Sequence, residues 1–120
     1  MMRCGTMYKQ RDVVLIPIPF TDLTSIKKRP VVVISNDEFN KNKEDIIVSA
    51  ITSNVLWNKY AIPITEKDME GSTLPRPSMV RVDKIYTLNQ AIVLKKFDII
   101  RKETFEKIRS KIQVLFSTSL

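Results

Sequence analysis

IKKRPVVVISN, residues 26–36, opens with three cations after Ile26, turns on Pro30, and then runs through the β-branched apolar residues Val31 to Ile34 before polar Ser35 and Asn36. A short apolar run of this kind, bounded by turn and polar signals, reads as a buried strand over Arg29–Ser35. The strand carries a triple positive charge at its mouth. Lys27, Lys28 and Arg29 read either as solvated loop residues or, in the sharper reading, as a set in which the strand holds Arg29 in place to meet an anion.

Working outward, Asp12–Ile18 reads as a strand whose prolines, Pro17 and Pro19, put its end at a sheet edge or bulge, because proline cannot donate to a ladder. Residues 19–28 then read as a polar, mobile loop. On the other side, Asp37–Asp45 is a polar stretch with room for one helical turn, and Ile46–Thr52 is a third strand. A short strand over Tyr60–Thr65, an irregular loop over Glu66–Pro77, a long strand over Ser78–Leu88 bent near Lys84, and a short strand over Ala91–Lys96 follow. Strands at this spacing without intervening long helices predict a mainly β fold, a small antiparallel barrel. Only the end is helical: Phe105, Ile108, Ile112, Leu115 and Phe116 recur on one stripe with Lys107, Arg109 and Lys111 opposite, and no capping residue precedes Lys102. Residues 1–10 read as a flexible start, and residues 11–120 as one domain.

Lys plus Arg number 20 against 13 Asp plus Glu, a net charge of +7. That excess favours a polyanionic partner, nucleic acid first. The single cysteine, Cys4, forms no intramolecular disulfide, and nothing at the start reads as a signal peptide, so the expectation is a reducing, cytoplasmic setting. The longest apolar run, Val13–Phe20, is eight residues with two prolines, far short of the roughly 18 needed to span a bilayer. No membrane role is expected. The absence of histidine removes the usual general base and metal ligand, and two glycines, Gly5 and Gly71, leave no phosphate-cradling loop. No acid is followed two residues later by lysine, as in many metal-dependent nucleases. Chemistry on nucleic acid would therefore use Arg, Asp, Thr or Lys, with no metal and no cofactor.

In SMVRVDKIYTL, residues 78–88, Arg81 and Asp83 stand two apart on one strand face, about 6.6 Å along it, while Val80 and Val82 face the core. The pair reads either as a structural salt bridge or as a functional one lining a groove. Thr52, ending the third strand in SAITSN, is either a strand-end hydrogen bonder or a ligand contact. Trp57 and Tyr60 beyond it either stack on bases or anchor a hairpin.

Taken in order, RDVVLIPIPFTDLTSIKKRPVVVIS, IIVSAITSN, SMVRVDKIYTL and a closing amphipathic helix resemble the PemK/MazF-like toxins of toxin–antitoxin systems over about residues 11–116. The most specific parts are PFTDL followed by KRPVVVIS, and VRVDKIYTL. The resemblance implies an SH3-like barrel with a C-terminal helix, a homodimer that cuts single-stranded RNA at short sequences without metal and is restrained by a cognate antitoxin. On the matching positions, Arg29 and Thr52 fall on the family's catalytic arginine and threonine. Arg81 and Asp83 match an Arg-x-Asp pair implicated in some members as acid and base. Phe20, Lys27, Lys28, Ser53 and Trp57 are the expected substrate-binding residues, the lysines attracting the backbone without setting sequence. One departure is visible: the family commonly has Gly-Asp at the start of the first strand, where this chain has Arg11-Asp12. Two other readings remain at this level, a non-catalytic toxin of the same barrel that poisons DNA gyrase, and a plain nucleic-acid- or protein-binding barrel.

Overall fold

The structure is a computed structural model and describes residues 7–19, 26–42 and 44–119. Six strands, β1 (Asp12–Pro19), β2 (Ile26–Val33), β3 (Asp45–Thr52), β4 (Ala61–Ile64), β5 (Ser78–Asn89) and β6 (Lys95–Ile99), form one antiparallel sheet in the order β4-β5-β3-β2-β1-β6. Two helices complete the chain, α1 (Asp37–Asn42) between β2 and β3, and α2 (Lys102–Leu115) at the end. The sheet curls until its edges approach: Met69, just after β4, bridges Ile100, just after β6, and Glu70 N donates to Ile99 O at 2.8 Å. This is the expected small barrel with a C-terminal helix, closed by a single bridge rather than a full ladder.

The run Val31–Val33 is continuously apolar because both faces of the sheet are covered. Val32 packs with Val13, Ile51, Val80 and Val82 on the side where α2 lays Phe105 and Ile108, whereas Val31 and Val33 pack with Val14, Ile16, Ile46 and Val48 on the other. Pro17 and Pro19 sit where their missing N–H costs nothing, since β6 pairs with β1 only over Asp12–Leu15. The expected bend in β5 is a bulge: Ala50 pairs with Arg81 but Ser49 with Ile85, so Val82, Asp83 and Lys84 are extra. Val82 N instead donates to Tyr60 O at 3.0 Å.

Three expectations are corrected. The polar segment placed at residues 19–28 is partly strand: β2 begins at Ile26, with Lys27 opposite Ile18 and Lys28 opposite Pro17; residues 20–25 lie outside the described residues. The strand expected at Ala91–Lys96 falls later. Asn89 caps a 3-10 turn over Gln90–Ile92, its side chain accepting from Ala91 N at 2.8 Å, and pairing with β1 starts only at Lys95. Phe116, placed on the buried helical stripe, is 72% exposed because α2 ends at Leu115. The expected absence of a cap at the start of α2 holds, with Arg101 there making no side-chain cap bond, but Thr104 Oγ1 donates to Asp68 Oδ1 at 2.6 Å and fixes the first turn.

Arg11 has φ 81°, the left-handed region that suits glycine. Its side chain compensates, Nη1 donating to Ile100 O at 2.8 Å and to Glu70 Oε2 at 3.1 Å. The extra cation is thus engaged in holding the barrel's seam. Nearby, Tyr8 N donates to Gln90 Oε1 at 3.1 Å and Gln10 N to Asp37 Oδ1 at 2.8 Å, so this part of the start is tied down.

Candidate active site and groove

Pairing registers bring three of the sequence-chosen residues onto adjacent strands. Val31 pairs with Ala50, Ala50 with Arg81, and Arg81 with Ala61, while Thr52 pairs with Met79. Because side chains alternate, Arg29 shares a face with Val31, Thr52 with Ala50, and Arg81 with Met79. The β2–β3 ladder stops at Val31, next to Pro30, which has no N–H to offer. Two residues beyond that last pair come Arg29, inside β2, and Thr52, the last residue of β3. Arg81 is the diagonal neighbour of Thr52, a relation that places Cα atoms roughly 7–8 Å apart. Small side chains, Ala50 and Ala61, are its cross-strand partners on either side.

Arg81 and Asp83 meet fork to fork, Nε to Oδ1 at 2.8 Å and Nη2 to Oδ2 at 2.7 Å. The hydrogen bond from Arg81 is the largest cause holding the Asp83 carboxyl below its ordinary value, and the same bond raises Arg81. Both stay charged through the neutral range. Thr52 Oγ1 accepts from Asn54 N at 3.1 Å. That bond fixes the rotamer and leaves the hydroxyl proton without an acceptor among the described residues, so Thr52 can donate to an oxygen placed over it.

Beside this set lies an open groove of about 750 Å³. Among the described residues its lining includes Lys27, Lys28, Arg29, Arg76, Lys95 and Lys96 and no carboxylate, with apolar Leu15, Ile51, Leu74 and Phe97. Ser53 lines it as well, and Arg29 joins the groove to the Thr52 face; Arg81, Asp83 and Trp57 do not line it. Trp57 is 87% exposed on a loop with Val55 and Leu56, so it anchors no hairpin. Tyr60 does pack on the core and stands under Lys59 Nζ, 5.6 Å from the ring centroid. Phe20 lies outside the described residues. Sequence reading missed Arg76, Lys95 and Lys96, whose only signal was the overall cationic excess, and Phe97, which had none. Among the described residues no three His, Cys, Asp or Glu side chains converge on one point.

A curled β-barrel whose groove is lined by Lys27, Lys28, Arg29, Arg76, Lys95 and Lys96 is suited to a polyanionic partner. Residues 9–116 match the family described as PemK-like, MazF-like toxin of type II toxin–antitoxin systems, and the chain belongs to that family. It is 31% identical over 116 residues, 95% of this chain and 90% of that protein, to Endoribonuclease MazF of Staphylococcus saprophyticus subsp. saprophyticus. Among solved structures, it resembles an endoribonuclease in complex with its cognate antitoxin from a mycobacterial species, with TM-score 0.77, 15% identity, and 94% and 98% of the two chains covered. It also resembles MazE–MazF from Deinococcus radiodurans, with TM-score 0.77, 13% identity, and 95% and 100% covered. At these identities the structural likeness establishes the fold.

Proposed function

We propose that the chain is the toxin of a type II toxin–antitoxin system, an endoribonuclease that cuts single-stranded RNA at short sequences without a metal, works in the cytoplasm as a homodimer, and is restrained by a cognate antitoxin. Family membership and the 31% identical endoribonuclease support the class of activity. The observation that supports the residue assignment is that Arg29 and Thr52 lie two residues past the end of the β2–β3 ladder, on neighbouring strands, with Arg81 on the strand beyond. In the reaction, a ribose 2′-OH attacks the adjacent phosphorus and the P–O5′ bond breaks, giving a 2′,3′-cyclic phosphate and a 5′-hydroxyl. Negative charge grows on the nonbridging oxygens, and the Arg29 guanidinium, stiffened by Pro30, meets it. Thr52 donates a hydrogen bond to the same phosphoryl group and keeps its proton. Arg81 adds a second fixed cation, oriented by Asp83, and the 2′-OH proton is returned to the 5′-oxygen. Lys27, Lys28 and Ser53 hold the strand on either side, with Phe20 and Trp57 offering faces on which bases stack. Among the described residues, no helix is long and apolar enough to cross a membrane.

The test is incubation of the purified protein with a mixed RNA in EDTA, with mapping of the new ends. Cuts at a recurring short sequence, ending in cyclic phosphate, are expected. Arg29→Ala should slow single-turnover cleavage at saturating enzyme by at least about a hundredfold, the scale of losing one preorganised charge stabiliser. Lys28→Ala should weaken binding and leave the saturated rate nearly unchanged, because a contact outside the reacting centre acts on ground state and transition state alike. Cleavage abolished by EDTA and restored by magnesium would overturn the metal-free mechanism, and equal losses in the two variants would remove the special role of Arg29.

A further inference from the structure

Besides the β2 cations, the groove has a second wall, made by residues 73–76 and the start of β6. One carboxylate shapes it. Asp98 is only 7% exposed; its Oδ1 accepts from Gly71 N at 2.8 Å and Ile99 N at 2.7 Å, and its Oδ2 from Thr73 N at 3.0 Å and from the Thr73 hydroxyl. A Cβ at Gly71 would stand 3.0 Å from Asp98 Oδ1, so glycine is what lets the backbone come this close. Ser72 follows at φ 54°, a left-handed conformation that the clamp must hold. Beyond the clamp, Leu74 drops into the core, and Arg76 joins Lys95 and Phe97 along the groove. Neither Arg76 nor Lys95 makes an ion pair among the described residues, whereas Lys96 reaches Asp12 Oδ1 at 3.3 Å.

We propose that this second wall is an RNA-binding subsite: Arg76 and Lys95 hold a backbone phosphate next to the scissile one, Phe97 and Pro75 take the neighbouring unpaired base, and Asp98 is the positioning residue that sets the wall. The inference rests on the endoribonuclease reading. A strand cut at Arg29 must continue past the reacting phosphorus, and the cation-lined groove starts at Arg29. Its volume of about 750 Å³ falls within the roughly 300–1,000 Å³ typical of small-ligand sites. A cationic rim over an aromatic and proline floor matches a phosphate followed by a base, which is the pattern of single-strand binding.

The experiment is single-turnover cleavage of a mixed-sequence single-stranded RNA at varied enzyme and salt. Arg76→Ala and Lys95→Ala should each raise the half-saturating concentration about tenfold, as loss of one charge-assisted phosphate contact implies. They should leave the saturated rate within about twofold and make the logarithmic salt slope shallower by about 0.7. Lys107→Ala, which removes the same charge from α2, should do none of this. Asp98→Asn should raise half-saturation like Arg76→Ala and add nothing in the Arg76→Ala background; Gly71→Ala, which presses on the same carboxylate, serves if Asp98→Asn does not fold. Cleavage by the wild type with unchanged half-saturation in Arg76→Ala and Lys95→Ala overturns this inference alone, and absence of cleavage by the wild type overturns the function reading and the inference with it. Full additivity of Asp98→Asn with Arg76→Ala would make Asp98 merely structural. Binding of a synthetic poly-glutamate that falls in Arg76→Ala while RNA half-saturation stays put would assign the wall to an acidic peptide instead.

Discussion

Arg81 and Asp83 stand two residues apart on one strand, and their fork-to-fork bond constrains what each can do. The carboxylate is held below its ordinary value by the hydrogen bond from Arg81, so it is a weaker base than a solvated aspartate and a better anchor. The arginine, raised by the same bond, is a permanent cation. Both readings open at the sequence level, salt bridge and functional pair, are therefore compatible in one arrangement: the bond to Asp83 fixes the direction of the Arg81 guanidinium. Arg81→Ala and Asp83→Ala should each slow saturated cleavage by about ten- to a hundredfold, and the double variant should be no slower than the slower single one. Asp83→Asn should keep the wild-type pH–rate profile between pH 5 and 8. Multiplying losses, or a limb of that profile that disappears in Asp83→Asn, would show that Asp83 moves the proton itself. Folding should survive these changes, because an ion pair this open contributes only about 0.2–1 kcal/mol.

At the scale of elements, the misplaced β6 and the unforeseen groove wall each trace to one polar side chain. Ile92–Leu94 reads as strand by composition, yet Asn89 diverts the chain into a capped turn and Asp98, farther on, binds the loop from residue 71. Burial, the largest single influence on Asp98, works to raise its carboxyl. The hydrogen bonds from Thr73, Ile99 and Gly71 outweigh burial and leave it below the ordinary value. The unfolded chain, with an aspartate at about 3.9, then binds more protons than the folded one over the acid range. The clamp's contribution is accordingly complete above the unfolded value and lost as pH falls through the folded one. Urea unfolding should show wild type more stable than Asp98→Asn by about 1–3 kcal/mol, with a constant gap from pH 5 to 8 that closes below about pH 4. A gap that closes near pH 6 would mean that the hydrogen bonds do not hold the carboxylate ionised.

For the molecule as a whole, α2 and the Met69–Ile100 bridge turn a curled sheet into a barrel. Ile108 is fully buried among Val80, Val82, Met69 and Ile100, residues from both sides of the seam. Ile108→Ala should therefore lower unfolding stability by about 2–5 kcal/mol, read as a lower urea midpoint at an unchanged slope. A loss under about 0.5 kcal/mol, the range of ordinary surface substitutions, would show that α2 is only loosely docked.

Local pattern was enough for much of this protein. Short apolar runs and proline placement found β1, β2, β3 and β5 to within a few residues, the 3.6-residue stripe found α2, and strand position with motif order singled out Arg29, Thr52, Arg81 and Asp83. Each of those signals is written within a dozen or so residues, where steric and periodic rules act directly. What the tertiary structure alone decided depends on pairing between distant segments: the stop of the β2–β3 ladder beside Pro30, the bulge that carries Asp83, the late start of β6, and the meeting of Arg76 and Lys95 with Lys28 and Arg29 around one groove. Register fixes all four. A shift of one residue turns every side chain to the opposite face, and the balance among alternative registers is set by the packed core rather than by any one stretch of sequence.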